Sequence, residues 1–291
     1  MSLEIFLQTI INGLFTGSIY ALVAIGLTLI YGVMVILNFA HGEFLMLGMY
    51  VAYGMFSLFG MDPYLSIPVA VALMFGLGAL IQSGLVQHVL DAHPLNQIIL
   101  LLGVSTLLIG LVQFFLTAEP KVIRVPYETS VFVLGGLRFS IPRSIAFLSA
   151  MIVSLLLYLF LMKTRIGTAI RATSQSRQAA LLMGINVKRI YWLTFGIGTA
   201  VTAFGGVLLT PNYRMIPTIG QSFSVVAFVI VVLGTMGNFI GAFLGGLIIG
   251  LVEAFAGFFI GADVKIIASM LVFILILLFK PAGLFGRKKG L

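Results

Sequence analysis

Residues 215–252 contain no Asp, Glu, Lys or Arg, an unbroken run of 38 positions. As one helix that run would extend about 57 Å, nearly twice the roughly 30 Å of a bilayer's hydrocarbon core. Charge-free stretches also cover 5–42, 44–61, 63–90, 92–118, 144–162, 190–213 and 266–279. Apolar residues make up 61% of the 291 positions and charged residues 8%, against about 25% charged in a domain coated by water. The solvent that suits such a chain is lipid. There every backbone polar group must be satisfied internally, which leaves helices or closed barrels. Barrel strands alternate apolar and polar residues, whereas these runs are continuous. The sequence therefore predicts an all-α, polytopic transmembrane helical bundle forming a single domain over 1–291.

The 215–252 run is expected to break near Gly234-Thr235-Met236-Gly237-Asn238, where two glycines weaken a helix and Asn favours a turn. The count is then nine crossings, or eight if one segment is re-entrant. Residues 163–190 hold Lys163, Arg165, Arg171, Arg177, Lys188 and Arg189 with no acidic residue, and the 280–291 tail adds Lys280, Arg287, Lys288 and Lys289. Lys and Arg collect on the cytoplasmic side, so both segments are expected there. Counting crossings backward puts the 118–143 loop and the N-terminus outside and the C-terminus in the cytoplasm. The net charge of +8 is accounted for in the same way, without nucleic acid. Met1 to Ile10 carries only Glu4 and lacks the basic flank of a cleavable signal, so residues 5–31 read as a retained first span. Val131 to Phe139 has the pattern of a small hairpin around Gly135-Gly136.

There is no cysteine, which removes disulfides, thiolate metal sites and cysteine nucleophiles together. No metal is expected elsewhere. His88, Asp91 and His93 form a polar turn ending at Pro94, read as a connector rather than as ligands. Ser105, Ser154 and Ser269 have no His within their spans, so an intramembrane enzyme has no nucleophile and base to work with.

Three features carry functional expectations. The first is Arg171 to Ile185, too polar to span. Ser174 or Ser176 can cap a short helix there and Gly184 can close it, while Ala179, Ala180 and Met183 supply a small-residue face. As a pattern it suits either an interfacial turn or a docking helix. The second is Asn38-Phe39-Ala40-His41-Gly42-Glu43, which interrupts two apolar helices almost without a loop. Broken helices at depth can line a solute cavity, and Asn38, Phe39, His41 and Glu43 are candidates for it. The third is Glu253, inside a predicted helix, where exposure to lipid at mid-depth would cost about 2.5 kcal/mol or more; it should face protein, water or solute. Gly237, Gly241 and Gly245 recur at four and are expected to form a helix-packing stripe.

Gln178-Ala179-Ala180, three residues, then Gly184 resembles the coupling loop of ATP-binding-cassette importer permeases, with Gln in place of the pattern's Glu. Asn12-Gly13-Leu14, Gly17 to Leu22, Leu37 to Glu43, Gly234 to Gly237 and Gly241 to Gly246 extend the likeness over nearly the whole chain. Together they resemble the permease subunit of branched-chain amino-acid ABC transporters. The resemblance implies half of a translocation pathway for small amino acids such as Leu, Ile and Val, in a bacterial or archaeal inner membrane. It also implies a second, distinct permease, two cytoplasmic ATPases and a periplasmic or lipid-anchored binding protein. Docking would fall on Arg171, Ser174, Arg177, Gln178, Ala179, Ala180, Met183 and Gly184. The chain has no G-x-x-x-x-G-K-[ST] phosphate loop, so ATP and Mg are expected on the partners and no cofactor on this chain. Another small solute (urea or an aromatic acid), a lone channel and an ion-coupled carrier are the competing readings.

Overall fold

With lipid as solvent the backbone has only itself to bond to. The computed structural model, which describes residues 3–286, accordingly consists of helices plus one hairpin. In order these are α1 (Leu3–Met34), α2 (His41–Phe59), α3 (Ile67–Gly84), α4 (Pro94–Leu116), β1 (Val131–Leu134), β2 (Leu137–Ser140), α5 (Ile141–Lys163), α6 (Arg165–Gln175), α7 (Arg177–Leu182), α8 (Val187–Leu209), α9 (Ile219–Leu233), α10 (Phe239–Phe259) and α11 (Lys265–Phe279). Among the described residues, eight helical stretches are long and apolar enough to cross a membrane, α11 being counted with the 3-10 turn Ala262–Val264 before it, and α9, with 15 residues, is shorter.

The bundle has two distinguishable ends. At the hairpin end, Gln8 bonds the backbone of Arg138, the Tyr64 hydroxyl donates to the Pro142 carbonyl, and the Tyr127 hydroxyl donates to Asp62. Lys121 and Met215 pair through their backbones at the same end. Burial and that hydrogen bond raise the Tyr127 hydroxyl's pKa. At the other, basic end, Asp91 meets Arg177, and Leu284 N–H donates to the Leu233 carbonyl. Among the described residues, helices α1 to α5 and α8 to α11 alternate between these ends, and the 215–252 run does divide, at 234–238. The hairpin pairs Val131 with Ser140 and Leu134 with Leu137, turning on Gly135 and Gly136 at positive φ.

Close backbone approach builds the core. On α1, Gly13 and Gly17 face Leu251, Gly246 and Leu247 of α10, and in return Gly246 and Gly250 face Ala21 and Gly17. Small side chains allow this contact in lipid, where helices associate by packing rather than by escape from water. Gly26 and Gly198 bring α1 against α8, and Gly48 brings α2 onto Ala203 of α8. The expected glycine stripe divides. Gly241 and Gly245 pack against α9 at Gly234 and Ile230, but Gly237 lies outside α10 in the preceding turn, at φ +82 against Gly32. The correction has a local cause: the Asn238 side chain caps α10 by accepting from Gly241 N–H, so the helix starts after Gly237.

Candidate functional site

Chain geometry at 35–43 shows how a helix is broken in a fatty core. Helix α1 ends at Met34, and Val35 leaves it at φ 56. His41, only seven residues on, lies beside Val23, eleven residues earlier and about 16 Å back along α1. Segment 35–40 therefore climbs back along the first helix, and α2 starts inside the bundle. Asn38 Oδ1 accepts from Ala40 N–H, and His41 Nε2 lies 3.0 Å from the Val23 carbonyl and 2.7 Å from Thr202 Oγ1. A carbonyl can only accept, so that contact needs a proton on Nε2. Gly42 N–H donates to Ser224 Oγ at 2.8 Å, and Ser105 Oγ donates to Glu43 Oε1 at 2.9 Å. One short segment thus ties α2 to α1, α4, α8 and α9. Asn38, His41 and Glu43 are fully buried between those helices, while Phe39 is half-buried with its ring 5.0 Å from that of Phe228.

Glu253 lies in a different setting. It sits six residues before the end of α10, in the half of that helix toward the hairpin end, and is 5% exposed. Tyr20 donates its hydroxyl to Glu253 Oε2 at 2.8 Å, while Oε1 has no hydrogen-bond partner. The residue lines a cavity of about 320 Å³ with Asn12, Thr16 and Tyr20 of α1, Arg143 of α5, Tyr213, and Lys265 of α11. A stripe of Thr9, Asn12, Thr16 and Tyr20, spaced by three and four, brings polar groups to one face of α1. That stripe could have been read from the sequence but was hidden among the apolar residues around it.

At the basic end the 165–185 segment is two helices meeting at an angle. Thr164 Oγ1 accepts from Gly167 N–H at the start of α6, and Ser176, in extended conformation, caps α7 by accepting from Ala179 N–H. Of the two serines proposed as caps, Ser176 does this; Ser174 bonds back to the Arg171 carbonyl. Gly184, at φ +77, closes α7 as Ile185 N–H reaches the Ala180 carbonyl. The small-residue face is not a single surface. Ala180 is buried, whereas Gln178, Ala179 and Met183 are exposed, because a six-residue helix lying on the bundle turns only one side inward. Leu182 and Met183 stand 88% and 82% exposed beside Leu181. Arg171 and Ser174 line a separate recess with Gly32 and Asn238.

Arg177 reaches across the surface to Asp91, with Nη1 at 2.5 Å from Oδ1 and the guanidinium 6.0 Å from the Tyr191 ring centre. The hydrogen bond and charge of Arg177 hold the Asp91 carboxyl below its usual range. A cleft of about 720 Å³ lies between the α3–α4 loop and α7, lined by His88, Asp91, Arg177, Leu181 and Tyr191 among others. Sequence reasoning read the 88–93 turn as a plain connector and missed Asp91. It also passed over Leu181-Leu182-Met183, an apolar triplet inside a basic loop. Among the described residues no cluster of His, Asp and Glu could hold a metal. Arg287, Lys288 and Lys289 lie outside the described residues.

Residues 9–279 match the family model described as branched-chain amino acid transport system / permease component. The chain is 36% identical to the high-affinity branched-chain amino acid transport system permease protein BraD of Pseudomonas aeruginosa, over 97% of this chain and 96% of that one. It is 34% identical to the corresponding LivH protein of Escherichia coli K12, with the same coverage. It is 32% identical to a probable branched-chain amino acid transport permease protein LivH of Methanocaldococcus jannaschii, over 93% of this chain and 89% of that one. No solved structure matches.

Proposed function

This chain belongs to the family of branched-chain amino acid transport permease components, and from that premise we propose that it forms half of the pathway of an ATP-driven importer for Leu, Ile and Val. The chain is a multi-pass membrane protein, and permease components are the non-enzymatic subunits of such systems. In this reading the membrane is the cytoplasmic one, the basic end faces the cytoplasm and the hairpin end faces outward. A second permease completes the pathway, two ATPases dock at the basic end, and an external binding protein delivers the solute. ATP and Mg belong to the ATPases.

The observation that carries this reading is α7, a short helix capped at both ends that holds Leu181, Leu182 and Met183 out beside a 720 Å³ cleft. Three large apolar side chains grouped on an otherwise basic surface are the mark of a partner interface. Force applied there has a stiff route inward. Gly167, where α6 leaves α5, is pressed against the Phe160 and Leu161 carbonyls, and buried Ile170 and Thr173 seat α6 on the bundle. Closure of the ATPases would push α7 and α6 and tilt the flanking helices α5 and α8, opening the pathway to one side and then the other.

Replacing Leu182 and Met183 together by Glu tests this, since both side chains are almost wholly outside the fold. The variant is expected to keep the thermal stability of the parent chain and to lose co-purifying ATPases. Full retention of the ATPases would rule out α7 as the docking element.

A further inference from the structure

The cavity at the hairpin end presents an unusual set of unpaired charges. Glu253 is buried, and its Oε1 has no partner while Oε2 is held by Tyr20. A buried carboxylate oxygen left without a donor is costly, so what it lacks is a hydrogen-bond donor, and a cationic N–H donor suits a carboxylate best. Arg143 and Lys265 line the same cavity, each at the first turn of its helix. Neither forms an ion pair, since the only one among the described residues joins Arg177 to Asp91. The cavity thus offers one carboxylate facing inward and two cations at its rim, not neutralised by direct contact. Its volume of about 320 Å³ lies at the small end of the roughly 300–1,000 Å³ range of small-molecule sites. Gly250, Ala254 and Phe258 give it an apolar wall.

We propose that this cavity is a binding site for the zwitterionic head of a free amino acid, with the Glu253 carboxylate receiving the ammonium group and Arg143 the carboxylate. A planar guanidinium suits a carboxylate through two parallel hydrogen bonds, and Lys265 adds positive potential at the rim. Asn12 and Thr16 supply further polar contacts, and the side chain of the amino acid lies against the apolar wall. The site deepens the importer reading and rests on it: solute released at the hairpin end would meet this cavity first. An interhelical bond from Tyr20 alone would leave the buried Oε1 without a donor and would not call for two cations lining the same cavity.

The test uses the assembled transporter in vesicles, with its binding protein, and exploits the absence of cysteine from this chain. T16C supplies one thiol in the cavity, and its modification by a small methanethiosulfonate reagent is read from the mass of this chain. Leucine is expected to slow modification, while 4-methylpentanoate, which keeps the side chain and carboxylate but lacks the ammonium, is not. E253Q is expected to abolish protection and to lower leucine uptake about tenfold or more, the scale of a lost charge-assisted hydrogen bond. Y20F removes the same contact between α1 and α10 yet leaves the carboxylate, and it is expected to retain protection. If the parent transporter carries leucine but T16C is modified at one rate with and without it, the site is overturned and the importer reading stands. If T16C resists the reagent altogether, uptake decides: unchanged transport by both E253Q and R143Q overturns the proposal. If the parent transporter carries no amino acid, the importer reading fails and this site falls with it.

Discussion

A β-carbon at position 42 would fall on the Gly220 carbonyl oxygen and crowd Ser224 Oγ, the group that accepts the Gly42 N–H. The obstacle at Gly220 is backbone, so α2 or α9 would have to move. At Gly103, in α4, nothing lies within 4 Å. The two glycines look alike in the sequence but act differently. G42A should destabilise the chain by about 1–3 kcal/mol, the usual cost of overpacking. G103A should be neutral or stabilising by up to about 1 kcal/mol, the gain in helix propensity. Thermal unfolding of the purified chain in one detergent checks both: melting several degrees lower for G42A, and unchanged or higher for G103A. Equal effects would mean that the approach of α2 to α9 does not govern stability. Glu43 shows the same limit at its own position. Its place in a helix break made it a candidate cavity-lining group, and the structure buries it against Ser105, sixty-two positions away in the chain. A partner that distant leaves no mark in local composition.

At the scale of elements, the breaks were legible and their consequences were not. Glycines with Asn at 234–238, Asn38 ahead of His41 and Gly135-Gly136 each mark a place where the chain stops being helix or turns, and each does so. Local chemistry suffices for that, because caps and positive φ are decided within a few residues. What lay beyond reach was the return of 35–40 alongside α1 and the joining of two loops by Asp91 and Arg177, both set by tertiary packing. The ion pair makes the α3–α4 loop part of the candidate docking surface, so D91R should lower substrate-stimulated ATP hydrolysis in the assembled transporter several-fold. The double exchange D91R/R177D should restore much of it, and a double variant as impaired as the single one would assign Asp91 some other role. The pH dependence follows from the carboxyl's lowered pKa. The pair's contribution is fully present above the ordinary carboxylate value of about 4 and is lost only as pH falls through the lowered value. Coupling through this contact should therefore stay flat from neutral pH down to about pH 5.

For the molecule as a whole, the decisive asymmetry is one of charge between its two ends. Lys163, Arg165, Arg171, Arg177, Lys188, Arg189 and Lys280 meet a single carboxylate, Asp91, at the basic end. At the hairpin end Lys121, Arg124, Arg138, Arg143, Arg214 and Lys265 are nearly balanced by Glu4, Asp62, Glu119, Glu128 and Asp263. In the proposed orientation, retention of Lys and Arg on the cytoplasmic side sets the bundle, since the alternating helices put these basic loops at one end. The orientation also links the two functional proposals, because α7 must meet ATP-consuming partners on the face opposite the zwitterion cavity. In this cysteine-free chain, S130C in the loop before the hairpin and S174C on α6 report the two ends directly. A membrane-impermeant thiol reagent should modify S130C on intact cells and S174C only after the membrane is opened. The reverse pattern would place α7 on the outer face, where no ATP is hydrolysed for it, and would leave Leu182 and Met183 facing a partner of another kind.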